Sequence, residues 1–213
     1  MPGPGAAGRR MRGAFGAQSA GLRPGITYSE YSANAAQSPA KAAGMAGFAP
    51  ALQSGMKAGS DSPVRTAEMT DAIALAGLDK RVNPSPWSEQ QFAVACEGER
   101  NREQILLVGS GGQMQGFVVY SQVLDEASIH NIAVNPGIQR RGLGELLLST
   151  ALTRVRDAGA RRCFLELRAS NEAAHSLYRK LGFQPDGLRK GYYQAASGRE
   201  DAVLMSLTLC GQE

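Results

Sequence analysis

The stretch Ile132-Ala133-Val134-Asn135-Pro136-Gly137-Ile138-Gln139-Arg140-Arg141-Gly142-Leu143-Gly144 joins an apolar strand, a basic glycine-bearing turn and the start of a helix. That junction constrains the chain more than any other. Leu143, Leu147, Ala151 and Val155 recur every fourth residue, with Leu146 flanking them, so the helix buries one face. The first turn of a helix leaves backbone N–H groups unpaired, and its dipole puts partial positive charge there. Gly142 and Gly144 have no side chain to block an anion, and Arg140 and Arg141 add full charges at the rim, which suits a pyrophosphate. Two other phosphate loops are excluded: Leu147 stands where a G-x-G-x-x-G needs its third glycine, and the Walker lysine is absent. Taken alone, the same residues also read as an ordinary strand-to-helix turn with exposed arginines.

The next strand and helix carry groups suited to proton transfer. Cys163 to Arg168 is a short apolar run with one carboxylate, Glu166, inside it. A glutamate in such a strand needs a partner, and its structural alternatives are a salt bridge to Arg168 or a turn to solvent. Asn171 then caps a helix, Glu172 sits in its first turn, and Gly182 ends it. Ala174, Leu177, Tyr178 and Leu181 share one face of that helix. Tyr178 therefore also fits a core role, with its hydroxyl on a backbone partner.

The spacing Gln139-x-x-Gly142-x-Gly144 is similar to the acetyl-coenzyme-A motif of the GNAT N-acetyltransferases. Further segments narrow the likeness. Pro86-Trp87-Ser88-Glu89, Leu124-Asp125-Glu126-Ala127, Asn131-Ile132-Ala133-Val134, Leu165 to Asn171, Leu177-Tyr178, Leu181-Gly182-Phe183, Tyr192-Tyr193 and Gly198-Arg199-Glu200-Asp201-Ala202 resemble, in order and spacing, the bacterial ribosomal-protein-alanine N-acetyltransferases of that superfamily. The resemblance covers residues 62 to 209. It implies the GNAT fold, a mixed α/β arrangement in which helices flank a central twisted sheet that is mostly antiparallel. It also implies acetyl transfer from acetyl-CoA to the N-terminal alanine of a protein, the eighteenth protein of the small ribosomal subunit.

Carried over residue by residue, the resemblance makes Glu166 the general base and Tyr178 the general acid. The backbone of Ile132, Ala133 and Val134, the loop Arg140, Arg141, Gly142, Leu143, Gly144 and Glu145, and Asn171 become the acetyl-CoA contacts. The chemistry agrees with those roles. A protein α-amine has a pKa of about 8, so a base must take its proton near neutral pH. A phenol of pKa about 10 stays protonated there and can donate to the departing thiolate. The N–H of Val134, if free of sheet pairing, can polarise the thioester carbonyl, and Asn135-Pro136 favours that freedom because proline cannot extend a ladder. His130 departs from the apolar or aromatic residue expected of the family and reads as a strand-edge histidine, with substrate contact or an auxiliary base as the alternative. His175 reads as solvent-facing.

Composition divides the chain near residue 62. The first sixty residues are rich in Ala, Gly, Ser and Pro, with Glu30 the only acid against Arg9, Arg10, Arg12, Arg23, Lys41 and Lys57. Such a segment cannot bury enough apolar area to offset its ordering entropy, so residues 1–61 are expected to be a disordered extension and 62–213 the acetyltransferase domain. A natural tail and a start placed too early, with Met56 opening a family-length chain, fit better than a transit peptide, which the frequent Gly and Pro oppose.

Past the tail, a helix is expected near Asp71 to Lys80, and Ser88 with Gln91 and Trp87 with Phe92 make a capping box and a hydrophobic staple for the next. Gln104–Val108, Gln115–Val123 and Ser128–Val134 read as a three-strand meander, with Gly109-Ser110-Gly111-Gly112 as its first turn. Gly187–Gln194 and Ala202–Leu209 read as a closing pair.

Cys96, Cys163 and Cys210 lack metal or redox spacing, and with His130 and His175 the only imidazoles no metal site is expected. The net charge is +4, but much of the excess lies in the tail, and no motif points to nucleic acid. With no secretory segment or long apolar run, the expected location is the cytoplasm, away from membranes. Two rival functions remain open: a GNAT enzyme acting on lysine side chains or small amines, and a catalytically silent acyl-CoA-binding module.

Overall fold

The computed structural model describes residues 64–97, 102–110, 113–195 and 198–209. The expected extension over residues 1–61 lies outside the described residues. In chain order the elements are β1 (Val64–Thr66), α1 (Ala72–Val82), α2 (Glu89–Cys96), β2 (Glu103–Ser110), β3 (Gln113–Val123), β4 (Glu126–Val134), α3 (Leu143–Asp157), β5 (Arg162–Arg168), α4 (Glu172–Lys180), β6 (Gln184–Ala195) and β7 (Gly198–Thr208). The strands form one sheet in the order β1-β2-β3-β4-β5-β7-β6. Every neighbouring pair is antiparallel except β4 and β5, the pair that α3 connects. The sheet is thus mixed and mostly antiparallel, as expected. Strand β1 is an addition that three residues of sequence do not announce.

Local signals set the helix ends. Ser88 accepts a hydrogen bond from the Gln91 N–H at 3.2 Å, and the Gln91 side chain accepts one from the Ser88 N–H at 2.9 Å. Trp87 stacks near Phe92 with ring centroids 5.4 Å apart, so box and staple both form at the start of α2. Asn171 accepts from the Ala174 N–H at 3.1 Å to begin α4, and Gly182, at φ +93°, lets the chain turn away after it.

The sheet is covered on both faces. Leu147, Leu148, Ala151 and Val155 of α3 and Tyr178 of α4 pack on Leu106, Val118, Ile129, Leu165 and Leu167. On the opposite face Leu75 and Leu78 of α1 and Phe92 of α2 pack on Ile105, Leu107, Phe117, Val119 and Ala133. Helix α3 lies so close over β3 that a Cβ on Gly116 would come within 2.9 Å of the Ala133 carbonyl oxygen and 3.0 Å of Leu147.

A bulge in β4 places the site. Val119 pairs with Asn131 but Tyr120 pairs with Ile129, which leaves His130 as the extra residue. Side-chain parity therefore flips: Ala127 and Ile129 face α3 and α4, whereas Ala133 faces α1 and α2, with Asn131 beside it. His130 is accordingly the first residue of β4 past its last pair with β5, on the side of the strand left open there. It sits within the central strand, 2.7 Å from the Ser121 hydroxyl, and burial lowers its pKa below the usual imidazole range.

Candidate active site

Strands β4 and β5 run together only from Glu126 and Arg162 to Ile129 and Leu165. Beyond that pair, β5 continues on β7 through Glu166, Leu167 and Arg168, while β4 continues on β3 alone. The two strands part at the bulge and a gap opens between them. The Asn135 N–H bonds the Gln115 carbonyl at 2.8 Å, which makes Gly116 and Val134 a non-hydrogen-bonded pair of the antiparallel ladder. By the same alternation Ile132 and Val134 turn their main-chain groups away from β3 and into the gap, and Ala133 bonds to β3. The Val134 carbonyl there accepts from the Gln139 side chain at 3.1 Å.

The turn after β4 leads to the mouth of this gap. Asn135 accepts from the Gly137 N–H at 3.2 Å, and the chain then passes through left-handed conformations at Arg140 (φ +65°) and Gly142 (φ +83°). Gly142 is the N-cap of α3 and supplies no side-chain acceptor, so the first-turn N–H groups of Leu143, Gly144 and Glu145 keep their donors for a ligand. A Cβ on Gly144 would stand 3.4 Å from Leu177 and 3.7 Å from Val134, which puts that first turn between α4 and β4. Arg140 and Arg141 are exposed beside it. Lys180 of α4 bridges Glu145 of α3 at 2.6 Å and ties the two helices across the mouth. A bare helix N-terminus, two free arginines and a strand edge with open main-chain groups fit a coenzyme that carries a pyrophosphate and an extended amide-bearing arm.

Glu166 and Tyr178 approach the gap from opposite faces. Cys163, Leu165 and Leu167 are buried against α3 and α4, so Glu166 projects to the α1 and α2 side of the sheet. Its carboxylate lies 3.5 Å from Arg189 and 3.5 Å from the Tyr193 hydroxyl, both on β6. Tyr178 is 5% exposed and packs on Phe183 with centroids 5.8 Å apart. Burial raises its pKa well above that of an ordinary phenol, with Cys163 adding a smaller effect, so the hydroxyl stays protonated. Among the described residues that hydroxyl has no hydrogen-bond partner, yet no wholly buried side-chain nitrogen or oxygen lacks one. The backbone partner considered for it is not present among the described residues.

Several expectations change. The ion-pair partner of Glu166 is Arg189, not Arg168. Arg168 is held by Glu200 at 3.1 Å and by the Gln194 carbonyl at 3.0 Å, and lies 4.4 Å over the Tyr193 ring. His175 is half-buried instead of facing solvent. Asn171 keeps its place at the head of α4, with its side-chain oxygen committed to the cap.

Two residues escaped the sequence reading. Asp79 of α1 is fully buried, accepting from the Trp87 N–H at 2.7 Å and from the Asn131 amide at 3.1 Å, and so stitches α1, the approach to α2 and the bulged strand together. Burial pushes its carboxyl pKa up, against the pull of those two bonds. A signal existed, since Asp79 stands four residues after the core position Leu75. Arg189 had none, because the irregular pairing between Arg189 and Tyr193 in β6 decides what it faces.

The model of the acetyltransferase (GNAT) family matches residues 72–183, and the chain belongs to that family. Within it the chain falls among the ribosomal-protein-alanine N-acetyltransferases. It is 40% identical over 146 residues to the [Ribosomal protein bS18]-alanine N-acetyltransferase of Escherichia coli K12, covering 68% of this chain and 97% of that enzyme. The crystal structure of the ribosomal-protein-S18-alanine N-acetyltransferase from Escherichia coli aligns with a TM-score of 0.65 at 39% identity, over 70% of this chain and 95% of that one. Arabidopsis thaliana NAA60, crystallised in complex with acetyl-CoA, shares the fold with a TM-score of 0.62 at 17% identity, over 68% and 97% of the two chains.

Proposed function

We propose that this acetyltransferase moves the acetyl group of acetyl-CoA to the α-amine of an N-terminal alanine, and that the acceptor is the N-terminal tail of ribosomal protein bS18. The reading rests on one observation above the others: a carboxylate and a protonated phenol reach a parted pair of strands from opposite faces. The name of the Escherichia coli relative, nearly all of which the chain covers, supplies the acceptor. Coenzyme A contributes a thioester carbonyl open to attack and a thiolate leaving group. The first-turn N–H groups of Leu143, Gly144 and Glu145, with Arg140, Arg141 and Gly142, hold the pyrophosphate. The main chain of Ile132 and Val134, on either side of Ala133 and its pairing to β3, lines up the arm, and the Asn171 amide nitrogen is a further donor. The Val134 N–H polarises the carbonyl, Glu166 takes a proton from the incoming amine directly or through water, and Tyr178 gives one to the sulfur. No step needs a metal.

The working unit is residues 62–213, with residues 1–61 as an appended segment, and its place is the cytoplasm, where the ribosomal acceptor is made. Among the described residues no helix is long and apolar enough to cross a membrane. Incubating the protein with acetyl-CoA and ribosomal proteins, then mapping acetylated positions by mass spectrometry, tests the reading. Acetyl on the N-terminal alanine of bS18 is the expected result. Acetyl on lysine side chains instead, or coenzyme binding without transfer, overturns it.

A further inference from the structure

We infer that Arg189 is a specificity-determining residue which, by occupying the open side of Glu166, favours an α-amine acceptor over a lysine side chain. The inference rests on the transfer chemistry proposed above and on the acceptor side of the gap. There the carboxylate is not a bare anion: Arg189 of β6 lies 3.5 Å from one oxygen and the Tyr193 hydroxyl 3.5 Å from the other. The guanidinium is itself placed over the Tyr192 ring, 4.3 Å from its centroid. Tyr192 and Tyr193 meet edge to face at 5.0 Å, so the whole group behaves as one wall. The other charges nearby are spoken for. Arg168 is paired with Glu200, and Glu200 also accepts from the Ser170 N–H at 2.7 Å.

An acceptor amine that comes up to Glu166 therefore meets a neutral pair instead of a lone negative charge. An ammonium gains little attraction from such a pair and is repelled by the guanidinium, whereas a neutral amine is indifferent to both. The two kinds of protein amine differ in that respect. With a pKa of about 8, roughly one α-amine in ten is neutral at pH 7, while for a lysine of pKa about 10.4 the figure is roughly one in a few thousand. A site that declines the cation thus admits the α-amine and starves the lysine. Proton balance is unaffected: Glu166 takes the proton of any ammonium that does enter, and of the neutral amine as the C–N bond forms and the C–S bond breaks, while Tyr178 protonates the departing sulfur. Without Arg189 the exposed carboxylate attracts ammonium ions, and the lysine, almost wholly protonated, gains most.

The test compares two peptides of one sequence under acetyl-CoA, one with a free N-terminal alanine and no lysine, the other blocked at the terminus and carrying a lysine. The measured quantity is the ratio of kcat/KM for the first to that for the second. In Arg189→Gln the ratio should fall by about three- to fivefold, the size expected of a half-exposed charge, and Arg189→Lys should hold it near the wild-type value. A merely structural role lowers both rates together and leaves the ratio alone. An unchanged ratio in Arg189→Gln, or an equal fall in Arg189→Lys, overturns the inference while leaving the proposed reaction standing. A wild-type protein that modifies neither peptide overturns the proposed reaction itself, and the inference with it.

Discussion

Glu166 and Tyr178 stand on opposite faces of one sheet, and in the proposed reaction their substitutions report on different halves of a single transfer. Glu166→Gln keeps shape and hydrogen bonding but removes the base, and acetyl transfer at pH 7 should fall by roughly a hundredfold. The deficit should shrink as pH rises, because more of the acceptor amine is then already neutral. Tyr178→Phe should behave otherwise. Burial holds the phenol pKa above its ordinary value, so the hydroxyl is protonated over the whole working range and its loss should give a deficit that does not vary with pH. Rate profiles from pH 6.5 to about 9.5 separate the two patterns, and a Glu166→Gln enzyme with near-normal turnover throughout would remove it as the base. Melting temperature should change little in Tyr178→Phe, whose hydroxyl has no hydrogen-bond partner among the described residues.

At the scale of elements, the turn into α3 is the sensitive joint. No atom stands within 4 Å of a Cβ built on Gly142, so a substitution there meets no steric wall, only the cost of φ +83°. Gly142→Asn, which tolerates the left-handed region, should bind acetyl-CoA within a few-fold of wild type, whereas Gly142→Val should weaken it by about tenfold or more, as calorimetry can measure. The buried Asp79 is a second joint. Asp79→Leu leaves the Trp87 N–H and the Asn131 amide without an acceptor and should cost about 3 kcal/mol in urea unfolding, and Asp79→Asn clearly less. Because burial raises the Asp79 pKa in the folded protein, its contribution to stability is greatest below the unfolded carboxylate pKa and declines as pH rises through the folded one. A variant without the carboxylate should lose that slope. These elements were largely readable in advance. Apolar periodicity placed α3, the caps of α2 and α4 stood in Ser88, Gln91 and Asn171, and the strand pairs bounded by glycines fell within a few residues of their final ends. The bulge at His130 was not readable, since one extra residue in a strand leaves no trace in an alternation whose both faces are buried. With it went the parity of Asn131 and Ala133, and the company that Glu166 keeps followed from another irregularity, in β6.

Across the whole molecule, composition sets the first sixty residues apart from the proposed catalytic unit. Removing the residues before Met56 should leave melting temperature and acetyl transfer almost unchanged, because a segment so poor in large apolar residues has little to contribute to a core. A loss of several degrees on truncation would contradict this. The parted strands have a consequence for the entire sheet. A protein this size could close its ladder from edge to edge, and this one leaves the central pair unfinished just past Ile129 and Leu165. Amide hydrogen exchange should register the omission as an alternation within one strand: fast at Ile132 and Val134, slow at Ala133 between them, in the protein alone. Saturating acetyl-CoA should slow the two fast amides and raise the global opening free energy by about 1.4 kcal/mol for each tenfold excess over Kd. If coenzyme binds as proposed, the sheet is completed by its own substrate, and release of coenzyme A at each turnover should return those two amides to fast exchange.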